Sequence, residues 1–309
     1  MSYVLVTDHY RTIRRVAQRL AAQTVKDRIE VIVVAPRGQD LELDASVLEG
    51  FAALKTVLID SIWPMSIARA AGVRAATAPV VFIGETHSFP HAGCCAALID
   101  AQSEPWDIVV PGLCNGNPES PFSWAAFLMD YGGWLNHLPG GAIDGGPTWN
   151  VGYRRGLMQE MDAVLDDVLS HGDEMAVALR ARGARTFFVP AAGLEHVNVE
   201  RVIWWFEQRF LTGLLVAASR KQRWSVPKRL LYICASPLIA VVIFSRISRP
   251  VRIALANGLP FGTLPAIIVG IVVRTLGEVV GYVRGGTAGA QSRIDEYELY
   301  KLKFTSLPF

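Results

Sequence analysis

At 309 residues and 51% apolar side chains, the chain has ample material for a large core, which excludes disorder as a class. Its formal net charge of +2 hides an asymmetry: residues 1–200 hold 15 Lys and Arg against 23 Asp and Glu, a balance of −8, while residues 201–309 hold 15 against 5, a balance of +10. The four cysteines, Cys94, Cys95, Cys114 and Cys234, have no C-x-x-C spacing and follow no secretory signal pattern, so neither disulfides nor a structural zinc is expected and a reducing, cytosol-facing location is.

The opening YVLVT, then HYRTIRRVAQRLAAQTVKDR, then IEVIVVAP, reads as strand, amphipathic helix, strand, which is a βαβ unit. The alternation continues with the strand FAALKTVLID, the helix SIARAAGVRAATA and the strand APVVFIG. A mostly parallel mixed sheet with helices on both faces is the α/β fold class this implies. The strand APVVFIG runs into GETHSFP, which delivers Glu85, Thr86 and His87 to a carboxyl-terminal strand end, where open α/β sheets bind their ligands.

Next come a helix in CCAALIDAQS, a strand in DIVVPGL and a stretch from Cys114 to Trp149 rich in Gly, Asn, Pro and aromatics, which reads as a long functional loop rather than a core element. The segment NVGYRRGLMQEMDAVLDDVLSHGDEMAVALRARG reads as mostly helical, and TFFVP as a last strand. These elements define a domain over residues 1–198. Residues 199–309 form a helical, basic and apolar region that begins with an amphipathic helix in VERVIWWFEQRFLTGLLVAASRKQRW.

Two apolar segments follow. Leu230 to Phe244 is about 15 residues long and contains Pro237, short of the roughly 20 residues a spanning helix needs. Leu259 to Val283 is long enough but carries Arg274, Glu278 and several glycines, so neither reads as a clean transmembrane helix. The aliphatic runs favour lipid over nucleic acid as the partner of the basic region. Association with the cytoplasmic face of a membrane, peripheral or monotopic, is expected, with a homo-oligomer interface as the other use of the apolar surface.

No G-x-G-x-x-G opens the first helix and no G-x-x-x-x-G-K-[ST] occurs, which removes the main support for dinucleotide and P-loop readings. Instead, the segments QTVKDRIEVIVVAP, ARAAGVRAATAPVVFIGETHSFP, VVPGLCNGNPESPFSW, WNVGYRR, GDEMAVALRARG, EHVNVER and RTLGEVVGYVRG, in that order, make the chain resemble bacterial family 2 glycosyltransferases of the GT-A fold. Within that family it is similar to a subgroup whose Asp-x-Asp motif is replaced by a Glu-Asp-His-type motif. The resemblance implies an inverting transfer of sugar from a nucleoside-diphosphate sugar to a cell-envelope glycan or lipid-carrier acceptor, at the inner face of the bacterial inner membrane.

It also implies site residues. Glu85, His87 and His196 would hold a divalent metal. A carboxylate with imidazoles suits Mn²⁺ better than Mg²⁺. Glu174 would be the base that deprotonates the acceptor hydroxyl, with Asp173 as the alternative, although acids at a helix start are also favoured by the helix dipole. Thr7, Asp8, Arg69, Glu85, Asn150, Arg154 and Arg155 would bind the nucleotide-sugar, with Tyr153, Asn115, Asn117 and Trp124 as weaker candidates. His9, His91, His137 and His171 read as ordinary solvated or hydrogen-bonded histidines. The chain departs from the pattern in two places: Thr86 replaces a carboxylate in the metal motif, and Ala35 and Pro36 stand where a nucleotide carboxylate would follow the second strand. A catalytically silent GT-A-like binding or scaffold protein is therefore the rival reading.

Overall fold

The β-branched runs of the first half form strands buried on both faces. In the computed structural model, which describes residues 1–170 and 172–308 (the side chains of Ala45, Gly172, Asp173, Ile239 and Arg246 excepted), nine strands make one sheet. They are β1 (Ser2–Val6), β2 (Glu30–Pro36), β3 (Ala53–Ile59), β4 (Val80–Ile83), β5 (Ser88–Pro90), β6 (Ile108–Asn115), β7 (Gly141–Ile143), β8 (Val151–Arg154) and β9 (Thr186–His196). The order is β3-β2-β1-β4-β8-β6-β9-β5, with β7 also on β9. The four strands β3, β2, β1 and β4 are mutually parallel, as are β6 and β9, while β8 runs antiparallel between β4 and β6. The chain is thus a mixed α/β fold with a largely parallel sheet and a helical C-terminal part.

Alternation along the strands sends side chains to two cores. Tyr3, Leu5, Val31, Val33 and Phe82 meet Ile13, Val16 and Leu20 of the Tyr10–Ala21 helix, while Val4, Val6, Ile32, Val34, Val81 and Ile83 meet Met65, Ala68 and Val73 of the Met65–Ala75 helix. At the edge of the sheet β3 is only half covered, and it carries Lys55, whose ammonium pairs at 2.5 Å with Glu30. Lys55, Ser2 and Thr77 hold the buried Glu30 carboxyl down at about 2, against the cost of its burial. A depressed carboxylate contributes stability that is present above its unfolded pKa and lost as pH falls through the folded one. We therefore expect acid titration from about pH 4.5 towards 2 to remove about 2–3 kcal/mol in the wild type, and Glu30→Gln to flatten that part of the stability curve in chemical denaturation.

Three expectations from sequence are corrected. The segment from Cys114 to Trp149 contributes a core helix, Pro121–Asp130, in which Ala125 to Leu128 are buried; Ser120 caps it by accepting from the Ser123 N–H, and Pro121 takes the first helical turn. Val151–Arg154 is a strand, not the start of a helix, and its register pairs Ile83 with Val151 and Val80 with Arg154. The last strand runs past Pro190 to His196, carrying a register irregularity against β6 between Pro111 and Leu113.

The C-terminal helices span Val202–Arg223, Val226–Cys234, Ser236–Ala256, Thr263–Arg284 and Ala288–Leu299. The main core runs through both parts of the chain: Trp205, Ile267, Ile271 and Tyr297 share it with Phe127 and Leu113. Val202–Arg223 and Thr263–Arg284 cross with their backbones in contact, because any Cβ at Gly213, Gly277 or Gly281 would collide with a carbonyl oxygen of the other helix. Among the described residues, Thr263–Arg284 is one helix long and apolar enough to cross a membrane, with half of its most apolar stretch buried in the protein. Its acidic residue turns inward: Glu278 is buried and lies 3.7 Å from both Arg220 and Arg274, while Arg284 ends the helix exposed. Leu264, Ile268, Val272 and Leu276, spaced at four, form an outward apolar stripe.

Candidate functional site: a buried Glu-His-His cluster

The sheet itself assembles the cluster. Beyond the end of β4 the chain turns through Glu85, Thr86 and His87 into β5, whose antiparallel pairing sets Ser88 opposite His196 at the end of β9. The β6–β9 pairing then brings Asn115 beside His196. Residues 109 positions apart in sequence thereby converge: the Nε2 atoms of His87 and His196 are 3.2 Å apart, and Glu85 Oε2 lies 3.3 Å from the first and 3.4 Å from the second. Exposure is 5% for Glu85, 0% for His87 and 1% for His196, so water cannot compensate these groups.

The partners around the cluster decide what the three atoms can do. The Asn198 amide nitrogen donates to the His196 carbonyl at 3.1 Å and to Asn115 Oδ1 at 3.0 Å, which turns its oxygen towards His196 Nδ1, 3.0 Å away. That ring nitrogen must be the donor, leaving a lone pair on His196 Nε2. The Thr86 hydroxyl donates to the Leu299 carbonyl at 2.8 Å and presents its own oxygen to His87 Nδ1 at 3.4 Å. His87 Nε2 is then also an acceptor. Burial pushes both imidazoles towards the neutral form, His87 down to about 3 with Lys301 acting in the same direction. Asn150 Nδ2 and Ser88 Oγ both donate to Glu85 Oε2, which suits the ionised carboxylate, while Glu85 Oε1 is buried with no hydrogen-bond partner among the described residues.

Two imidazole lone pairs and a carboxylate facing one point repel each other unless a cation lies between them. Ligand atoms about 3.3 Å apart have the spacing expected around one ion bound at about 2.0–2.2 Å. The donor set, the orphaned Glu85 oxygen and the hydrogen bonds behind His196 all fit a divalent metal.

His196 connects the cluster to a cavity of about 460 Å³, of a size that takes a small-molecule ligand. Arg69, Trp149, His196, Asn198, Glu298 and Lys301 line it. The Arg69 guanidinium is buried and stacks 4.5 Å from the centre of the Trp149 ring. Glu298, from the last long helix, reaches within 3.8 Å of His87 Nε2, and its carboxyl is pushed up to about 7 by burial, with Lys301 opposing and Glu85 adding.

No protein-family model and no curated protein matches the chain. Among solved structures it is similar to residues 1–349 of S. aureus TarS, at 15% identity and a TM-score of 0.47, with 92% of this chain and 91% of that chain covered. The same protein in complex with UDP matches at 14% identity and a TM-score of 0.48, over 92% of this chain and 91% of that one. A structure of GalNAc-T7 with UDP, GalNAc and Mn²⁺ matches at 12% identity and a TM-score of 0.43, over 64% of this chain and 44% of the other. Likenesses of this size assign neither a reaction nor a residue role to the chain.

The residues singled out from sequence divide into those the fold gathers and those it does not. Asn150 lies against Glu85, held at a φ of 60°, a left-handed conformation that is strained for most side chains and tolerated by Asn. Arg69 lies in the cavity wall. Thr7 and Asp8 end β1 near the C-terminal segment: the Thr7 hydroxyl donates to the His9 carbonyl at 2.7 Å, and Asp8 accepts from Thr12 at 3.2 Å and from Tyr300. Glu174 accepts from Ser219 Oγ at 2.9 Å, and Ser219 lines the cavity. The Asp173 side chain and His171 lie outside the described residues.

Arg154 and Arg155 lie at the far end of the sheet. Arg154 pairs with Asp107 at 2.6 Å beside the first residue of β4, and Arg155 begins a short helix there, its N–H donating to the Pro79 carbonyl. The Tyr153 hydroxyl donates to the Thr148 carbonyl, and Trp124 to the Pro118 carbonyl, so both serve the local fold. Asn115 and Asn117 form a buried network with Ser123 and Asn198 that backs His196 rather than lining the cluster. Sequence reasoning missed Asn198, Glu298 and Lys301. Asn198 could have been found, since it stands two residues after His196 in EHVN, but nothing in ELYKLKF marks Glu298.

Proposed function

We propose that the chain is an inverting, membrane-associated glycosyltransferase that moves a sugar from a nucleoside-diphosphate sugar to a glycan or lipid-linked acceptor of the cell envelope. One observation carries the reading: the convergence of Glu85, His87 and His196 on a cation position, with His196 lining a cavity that also presents Arg69 and Lys301. Glu85, His87 and His196 would hold a divalent metal, Mn²⁺ in preference to Mg²⁺ because two of three donors are imidazoles. When bound, such an ion supplies Lewis-acid stabilisation of the charge on a departing diphosphate.

The chain's own residues supply the rest. Asn150 and Ser88 fix the Glu85 carboxylate, and Asn198 fixes the His196 ring. Arg69, immobilised over Trp149, offers a buried guanidinium to phosphate oxygens. Glu174 takes the proton of the acceptor hydroxyl as that oxygen attacks the anomeric carbon and the bond to the diphosphate breaks. The reading is supported by the carboxylate's hydrogen bond from Ser219, a residue of the cavity lining, on an element separate from the metal cluster. We expect Glu174→Gln to lower transfer about 10²–10⁴-fold while metal-dependent binding of the sugar nucleotide is kept. Undiminished transfer in a folded, donor-binding Glu174→Gln variant removes Glu174 as the base, and a comparable loss confined to Asp173→Asn moves the role there.

The membrane part of the reading is supported by the outward stripe of Leu264, Ile268, Val272 and Leu276, by the inward placement of Glu278 and Arg274, and by the +10 balance of residues 201–309. A second copy of the chain is the other occupant of that stripe. A second reading, a binding protein without turnover, is favoured by the C-terminal segment: Tyr300 bonds Asp8, Asp295 accepts from the Met65 N–H at 3.2 Å, and Thr86 bonds the Glu298 and Leu299 carbonyls. Two of these contacts fall just beyond the ends of β1 and β4, and the third on the first residue of the Met65–Ala75 helix. Sugar nucleotides that fail to bind with or without Mn²⁺ would favour it.

A further inference from the structure

We propose that Glu298 is a fourth protein ligand to the ion held by Glu85, His87 and His196, so that the C-terminal helix is part of the metal centre. The inference rests on the metal reading above and adds a residue 102 positions beyond the last member of the cluster.

Three contacts fix Glu298 in place. Asp295, one turn earlier, accepts from the buried N–H of Met65 at the start of its helix; Tyr300, two residues later, bonds Asp8; and between them Thr86 donates from within the metal motif to the Glu298 and Leu299 carbonyls, at 3.1 and 2.8 Å. The helix end is therefore tied to the same turn that carries Glu85 and His87. Its position is set by that turn rather than by a free side chain. The Glu298 carboxylate then lies with Oε2 3.8 Å from His87 Nε2, at the cluster's cavity side.

The charges around it ask for a cation. Glu85, which is buried, and Glu298, whose side chain is 13% exposed, bring two carboxyl groups to one small volume beside two imidazoles. The lysine at hand, Lys301, lies 3.1 Å from Glu298 Oε1 and 3.3 Å from Oε2 on its own helical turn. That ammonium leaves the Glu85 side of the pair without a counter-ion and Glu85 Oε1 without a partner among the described residues. A divalent ion bound by Glu85 Oε2 and the two Nε2 atoms would sit beside Glu298 Oε2 and satisfy both carboxylates. The rival account is that Glu298 serves only to neutralise Lys301.

The test measures Mn²⁺ binding by calorimetry and the visible absorption of the Co²⁺-loaded full-length chain, for wild type, Glu298→Gln, Glu298→Ala and, as a remote change on the same helix, Glu296→Gln. Wild type is expected to bind one ion. Both Glu298 variants are expected to bind it about 10–100-fold more weakly and to change the intensity of the Co²⁺ bands, while Glu296→Gln changes neither. The isosteric Glu298→Gln decides if the alanine variant does not fold, since an amide keeps the shape and the Lys301 contact while losing the charge. Wild-type affinity and spectrum in Glu298→Gln overturn the inference and leave the Glu-His-His site standing. No ion bound by wild type overturns both this inference and the metal reading on which it rests.

Discussion

Glutamine at Glu85 or alanine at His196 is expected to abolish stoichiometric Mn²⁺ binding and to lower sugar transfer by at least about 10³-fold. The cluster has few donors, so one lost ligand removes a large share of the coordination, and the buried setting offers no water to replace it at low cost. Lewis-acid stabilisation of several kcal/mol, at about 1.4 kcal/mol per decade of rate, sets the size of the loss. The two variants differ in an informative way. His196→Ala also orphans Asn198 Oδ1 and disturbs the network of Asn115, Asn117 and Ser123, so its thermal stability falls as well. Glu85→Gln removes the central charge at nearly constant volume. His91→Ala is the control, since that ring is half exposed and paired with Glu195, outside the cluster. Retained Mn²⁺ binding in Glu85→Gln would show that the convergence of the three side chains is a packing feature.

The second large effect is structural. Alanine at Gly213 or Gly277 is expected to destabilise the chain by about 3 kcal/mol, and valine to prevent the two long C-terminal helices from packing. At each position the added Cβ would overlap a backbone carbonyl, of Arg274 and of Phe210 respectively, and a backbone cannot step aside as a flexible side chain can. Small residues here let two helices approach closely, as in membrane helix pairs. The same crossing holds Ser219 opposite Glu174 and the buried Arg209 against the partly exposed Asp130 through two hydrogen bonds of 2.8 and 2.6 Å in the cavity lining. Chemical denaturation followed by circular dichroism measures the loss. Gly145→Ala, at a surface turn with open space around it, tests instead the smaller cost of its positive φ.

Much of the N-terminal half was legible because most of its strands are covered on both faces and read as unbroken aliphatic runs, such as VVFI in β4 and VIVV in β2. The cues failed where sheet context overrides local pattern. Val151–Arg154 is four residues long, too short to show a period, and becomes a strand only because β4 and β6 leave a slot for it. The Pro121–Asp130 helix was legible in principle from Ser120 and Pro121, but the surrounding Gly and Asn obscured it. In the site, Glu85 and His87 were readable as chemistry at a strand end and His196 from the family resemblance, and pairing of β5 with β9 makes them neighbours. Arg154 and Arg155 lie away from the site because an antiparallel strand carries its end there, which a helical reading of the segment does not anticipate. Thr86 looked in sequence like a missing carboxylate. In the fold its hydroxyl ties down the helix that brings Glu298 to the cluster, a contact over 212 residues that no local pattern records.

The central claim is that the cluster holds a metal ion through which a nucleoside-diphosphate sugar is bound. Calorimetry with a panel of sugar nucleotides, in Mn²⁺ and again in excess chelator, tests it most directly. At least one sugar nucleotide is expected to bind in Mn²⁺ and to lose its affinity at least about tenfold in chelator, with the same loss in Mn²⁺ for Glu85→Gln. Binding of the same sugar nucleotide with equal affinity in both conditions, or of none in either, would contradict the claim.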